Sequence, residues 1–138
     1  MTTDKDAAYR RAVRILAASD NTPRALLKKL CAKGFSEEDA GSAVKRLAAE
    51  GFLDEKKLLE KTVRALYGKK YGPLYITAAL IKKDFSEKAL RAAEKMMPEL
   101  DFDASARAYA KELSDAGADA AKINAALIRR GFETDTEI

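Results

Sequence analysis

Apolar residues recur at three- and four-residue steps along almost the whole chain, and no useful stretch alternates apolar with polar. That period predicts helices and no strands. A first helix is predicted over 7–18, burying Ala8 or Tyr9, Ala12, Val13 and Leu16 while Arg10, Arg11 and Arg14 face out. Thr22 can cap the next helix and Pro23 suits its first position. This second helix buries Leu26, Leu27 and Leu30 and stops at Lys33-Gly34, where glycine accepts a left-handed turn. Ser36-Glu37-Glu38-Asp39 resembles a capping box, with Asp at its end. Ala40, Ala43, Val44 and Leu47 form the stripe of a third helix that Gly51 closes.

The pattern then repeats. Leu30-Cys31-Ala32-Lys33-Gly34-Phe35-Ser36-Glu37 recurs as Leu80-Ile81-Lys82-Lys83-Asp84-Phe85-Ser86-Glu87, and more loosely as Leu127-Ile128-Arg129-Arg130-Gly131-Phe132-Glu133-Thr134. The offsets are 50 and then 47 residues. Extended upstream, the first pairs Pro23 with Pro73, Leu26 with Ile76, Val13 with Val63 and Leu16 with Leu66; the second pairs Ile76 with Ile123 and Leu66 with Leu113. Matches at the same internal positions signal tandem repetition. The expected fold is all-α: tandem three-helix repeats in an elongated array, over 1–52, 53–99 and 100–138. Phe35, Phe85 and Phe132, each just after a turn, are expected to plug the small cores. The third repeat is expected to be truncated after its second helix: Thr134-Asp135-Thr136-Glu137 starts a helix and the sequence stops at Ile138, leaving a disordered or very short tail.

Composition narrows the chemistry. Alanine, leucine, lysine, arginine and glutamate dominate, all strong helix formers. The 138 residues include no His and one Cys, so imidazole bases, His-activated nucleophiles, thiolate clusters and internal disulfides are excluded. No Walker-type glycine loop is present, and the carboxylates sit mainly at helix starts, where they favour the dipole. Cys31 reads as a small buried filler. No enzyme and no cofactor are expected. No apolar run approaches a membrane span and the polar start is unlike a signal peptide, so a soluble cytoplasmic protein is expected.

The net charge of +4 conceals a gradient: residues 1–50 carry ten basic and seven acidic groups, 51–100 eleven and seven, and 101–138 five and eight. The sharpest concentration lies in 56–83. There Lys56, Lys57, Lys61, Arg64, Lys69, Lys70, Lys82 and Lys83 face Glu60 alone, a net of +7. Tyr67, Tyr71 and Tyr75 are interleaved at four-residue steps. Basic residues with aromatics can neutralise phosphates and stack on exposed bases. The same residues also fit a solvated helix face with tyrosines at a core edge, and Gly68, Gly72 and Pro73 interrupt the run.

The chain resembles the RecX family of bacterial recombination regulators over about 7–134. The resemblance is carried by Arg11-Ala12-Val13-Arg14-Ile15-Leu16, by Leu26 to Leu30 with Lys33-Gly34-Phe35, and by Gly51-Phe52-Leu53-Asp54. Its most specific part is Lys69-Lys70-Tyr71-Gly72-Pro73, followed by Ile76 and Leu80, and Arg129-Arg130-Gly131-Phe132 fits the closing turn. The family's second Asp and following aromatic are replaced by Glu55 and Leu58-Leu59. The resemblance implies a non-enzymatic protein that lodges in the groove of the RecA–single-stranded-DNA filament. There it would restrain strand exchange, ATP hydrolysis and co-protease activity. Implied partners are the RecA filament and single- or double-stranded DNA. No single residue carries over from the family as essential; the basic stretch over 56–83 offers Lys56, Lys57, Lys61, Arg64, Lys69, Lys70, Tyr71, Lys82 and Lys83 as candidate contacts, and a monomer is expected. Two other readings stay open from the residues: an independent helical DNA-binding module, and a protein–protein scaffold without nucleic acid.

Overall fold

The protein is described from a computed structural model covering residues 4–133. Among these residues the order is α1 (Asp4–Ala18), α2 (Pro23–Ala32), α3 (Glu37–Ala49), α4 (Glu55–Gly68), α5 (Pro73–Lys82), α6 (Glu87–Met96), a short 3-10 turn (Met97–Glu99), α7 (Phe102–Asp115) and α8 (Ala120–Arg129), with no strand. The all-α expectation holds. The tail expected after Phe132 falls on 134–138, outside the described residues.

Helix ends follow the local signals closely. Thr22, Ser36, Asp54, Ser86, Asp101 and Asp119 each accept, through a side-chain oxygen, the backbone N–H three residues on, at 2.9–3.2 Å. These bonds satisfy donors that a helix leaves unpaired at its start. The C-terminal turns are equally regular. Gly34 and Phe35 return their N–H groups to Cys31 and Leu30 (3.0 and 3.2 Å), and Gly131 and Phe132 return theirs to Ile128 and Leu127 (both 3.0 Å). This closure needs a left-handed residue. Gly34, Asp84 and Gly131, equivalent in the three repeats, have φ of 99°, 64° and 93°. Aspartate tolerates that region better than most L residues.

The chain divides into two compact units: Met1–Leu58 with Lys83–Ala89, and Leu59–Lys82 with Leu90–Ile138. In the first, Ala8 and Ala12 of α1, Leu26 and Leu30 of α2, and Ala40, Ala43 and Leu47 of α3 form one buried cluster closed by Leu53. Leu16, Leu27, Phe35, Val44 and Cys31 pack against it, partly buried. Val13, expected in the core, is instead 42% exposed. Alanines on both α1 and α3 let those helices approach closely. The line of contact then runs through Ala12, and Val13, about 100° further round the helix, turns outward. Tyr9 flanks this seam: its hydroxyl donates to Glu50 (2.7 Å), and the Arg46 guanidinium lies 3.8 Å from its ring centroid.

In the second unit Leu59, Val63, Ile76, Leu80 and Ala93 are buried. Ala106, Leu127 and Phe132 form a further cluster, flanked by Phe102, Tyr109, Ala110 and Ile123. The plug expectation holds for Phe132, and Phe85 is fully buried in the first unit. Phe35 is half-buried.

Candidate interaction site

One joint occurs twice, built each time from equivalent residues. In the first unit the Thr22 hydroxyl, at the start of α2, donates to the carbonyls of Lys83 and Asp84 (3.2 and 3.1 Å). Lys28 adds an ion pair to Asp84 at 2.7 Å. In the second unit Gly72, equivalent to Thr22, donates its N–H to the Arg130 carbonyl (2.8 Å), and Leu74 N–H reaches Gly131 (3.0 Å). Arg130 and Gly131 are themselves equivalent to Lys83 and Asp84. So the turn of one repeat seats on the second-helix cap of the repeat before it.

The second joint is the tighter. A Cβ on Gly72 would stand 2.4 Å from the Gly131 carbonyl carbon, and one on Gly131 would stand 2.3 Å from the Tyr75 nitrogen. Only bare backbone fits on either side. Arg130 then reaches back. Its guanidinium donates to the carbonyls of Lys69 and Lys70 at the end of α4. It also lies 4.1 Å from the Tyr71 ring centroid and 4.6 Å from that of Tyr109. Tyr71 stacks in turn on Tyr75, with centroids 3.9 Å apart and planes 12° from parallel. Lys70 takes a left-handed conformation (φ 63°) and pairs with Glu112 at 2.5 Å.

The structure therefore sorts the nine candidate residues into groups. Lys69, Lys70 and Tyr71 surround Arg130, where the Lys69 and Lys70 carbonyls and the Tyr71 ring serve the joint. Lys57, Lys61 and Arg64 lie at i, i+4 and i+7 on α4, exposed on one helical face, with exposed Lys56 at its N-terminal end. Lys82 closes α5 and Lys83 follows it, both exposed. Tyr67, on α4, meets the edge of Phe102 at 5.5 Å, so the three tyrosines do not form a single row on one helix. Sequence reasoning missed Arg130, Tyr109 and Glu112. The available signal was the 47-residue offset that makes Arg130 the partner of Lys83.

The tyrosine contacts have a measurable consequence. The Tyr75 phenol is raised above 10.0, first by its hydrogen bond with Tyr71, then by repulsion from that phenol's charge and by burial; Arg130 opposes this. Tyr9 is raised chiefly by its bond to Glu50, with burial and that carboxylate's charge adding to it. A group held protonated in this way stabilises the folded state at pH below its unfolded pKa. The contribution fades as pH climbs through the raised folded value. Ultraviolet titration is expected to show Tyr9 and Tyr75 ionising later than a free phenol, and Tyr71→Phe to bring Tyr75 earlier. Complete ionisation of all five tyrosines at the ordinary pH would contradict these contacts.

Among the described residues, no cluster of His, Cys, Asp and Glu could hold a metal and no helix is long and apolar enough to cross a membrane. Three-helix units whose turns seat on helix caps define an all-helical protein of the helical-repeat class. Residues 8–47 match the family model described as RecX, first three-helix domain. The regulatory protein RecX of Stenotrophomonas maltophilia is 30% identical over 131 residues, covering 91% of this chain and 80% of that protein. The chain belongs to the RecX family of regulatory proteins, which are not enzymes. RecX of Xanthomonas oryzae pv. oryzae is 35% identical over 83 residues, 60% of this chain; the match spans about half of that protein, 52%. The crystal structure of RecX from Lactobacillus salivarius has the same fold, with a TM-score of 0.80 over 96% of this chain and 91% of that one, at 20% identity.

Proposed function

We propose that this chain is a cytoplasmic, monomeric regulator that binds the RecA–single-stranded-DNA filament and restrains its recombinase, ATPase and co-protease activities. Membership of the RecX family supports the partner, and the observation that carries the site is the basic face of α4. Lys57, Lys61 and Arg64 rise on successive turns, so their charges track a line as phosphates do along a strand. Replacing condensed counterions by such cations makes attachment strongly salt-dependent. Lys56 precedes this face on the same helix, Lys69, Lys82 and Lys83 are offered as further cationic contacts, and phosphates of single- or double-stranded DNA are the natural ligands of such groups. Lys70 and Tyr71 act in this reading mainly by holding Arg130. The three-repeat division at 1–52, 53–99 and 100–138 belongs to the same proposal, one helical unit per repeat presented to the filament.

The test is RecA ATPase on single-stranded DNA, titrated with the protein at several salt concentrations. Inhibition is expected to saturate and to weaken steeply as salt rises. Undiminished ATPase at a large excess of protein over filament would refute the proposal.

A further inference from the structure

The second helices of the second and third repeats expose an apolar stripe at matching positions. On α5 it is Leu74, Ala78 and Ile81; on α8, 47 residues later, it is Ala121, Ala125 and Ile128. All six are exposed, Leu74 at 56%, Ile81 at 58% and Ile128 at 47%. The first repeat carries a charged residue at two of the three equivalent positions. Its equivalents are Arg24, Lys28 and Cys31, and Lys28 is occupied with Asp84. On α5, Lys82 is the only charged residue, although a helix apolar on all sides is ordinarily buried on all sides. Leu74 and Ile81 are thus large side chains two turns apart with a small alanine between them. That profile has the form that receives a ridge from another helix.

Charge indicates which kind of protein. Each stripe ends beside a cation at the same position, Lys82 after Ile81 and Arg129 after Ile128. Neither α5 nor α8 contains an acidic residue. Two copies paired through these faces would leave the cations without carboxylates, and aliphatic side chains offer nothing to phosphate. We infer that the stripes dock an apolar, acid-edged protein surface. Taken with the proposed function, on which this inference rests, that surface belongs to the recombinase subunits of the filament, while the α4 cations meet the strand. Protein and nucleic acid would then be held by different helices.

The test compares wild type with Leu74→Ser/Ile81→Ser and, separately, with Ala78→Lys, which copies the first repeat's Lys28. All three positions are exposed, and circular dichroism with a thermal melt checks that the variants fold. Both variants are expected to need about tenfold more protein for half-inhibition of RecA ATPase. Their gel-shift affinity for DNA without RecA should stay within about twofold of wild type, because no phosphate contact is removed. Inhibition by either folded variant at the wild-type concentration overturns the inference and leaves the proposed function standing. A wild type that neither binds nor inhibits RecA overturns both. Sedimentation showing a wild-type dimer that the substitutions dissociate would assign the stripe to a second copy, and so would also overturn it.

Discussion

Gly131→Ala is expected to destabilise the protein by about 3–5 kcal/mol, against about 1–2 kcal/mol for Gly34→Ala. Both glycines hold the same turn position, with φ of 93° and 99°, so both variants suffer the left-handed cost of a Cβ. Their surroundings differ. A Cβ at Gly34 meets nothing within 4 Å, whereas one at Gly131 falls 2.3 Å from the Tyr75 nitrogen and 2.8 Å from its Cα. Backbone cannot step aside as a side-chain tip can, so the turn would lift from α5. The Gly72 N–H to Arg130 bond and the Arg130 stack would loosen together. Thermal denaturation is the measurement, and the Gly131 variant should melt roughly 10 °C lower than wild type. Equal losses for the two variants would mean that the joint contributes nothing beyond the turn.

The charge-reversing triple Lys57→Glu/Lys61→Glu/Arg64→Glu should raise the half-inhibitory concentration toward RecA about a hundredfold at low salt. It should also reduce the slope of log affinity against log salt by about 2, roughly 0.7 per phosphate contact on a single strand. All three side chains are exposed, so the fall in melting temperature should be small beside that of Gly131→Ala. Lys70→Gln provides the contrast. Its ion pair with Glu112 joins side chains 36% and 56% exposed, a geometry worth at most about 1 kcal/mol, and the charge is already engaged. Its effect should fall on stability and leave the salt slope near wild type. A triple variant with an unaltered salt slope would reduce the α4 face to an ordinary solvated surface.

Much of this molecule is legible in the sequence because much of it is local. Thr22 before Pro23, Ser36 before three acidic residues, and Gly34 and Gly131 before phenylalanine each act on a partner within five residues, and each forms the cap or turn its chemistry suggests. The site was legible only in part. The basic run over 56–83 is plain in the composition, and Lys57, Lys61 and Arg64 do share a face. In the same run, Lys70 and Tyr71 carry the same residue types into a different role, because Arg130 stands against them from 60 residues away. Nothing in the spacing of lysines separates a side chain on an exposed helix face from one held by residues distant in the chain.

The sequence by itself determined the helices, their caps, the left-handed turns, the repetition and the family. Each of these is written in a short window or in the comparison of one window with another. Only the tertiary structure decided that Ala12 and not Val13 meets α3, that Gly72 and Gly131 press backbone on backbone, and that Leu74 and Ile81 remain outside the core. The reason is physical. A 3.6-residue period states that a helix has an apolar side, whereas the rotation of that side and what covers it depend on side chains arriving from distant parts of the chain.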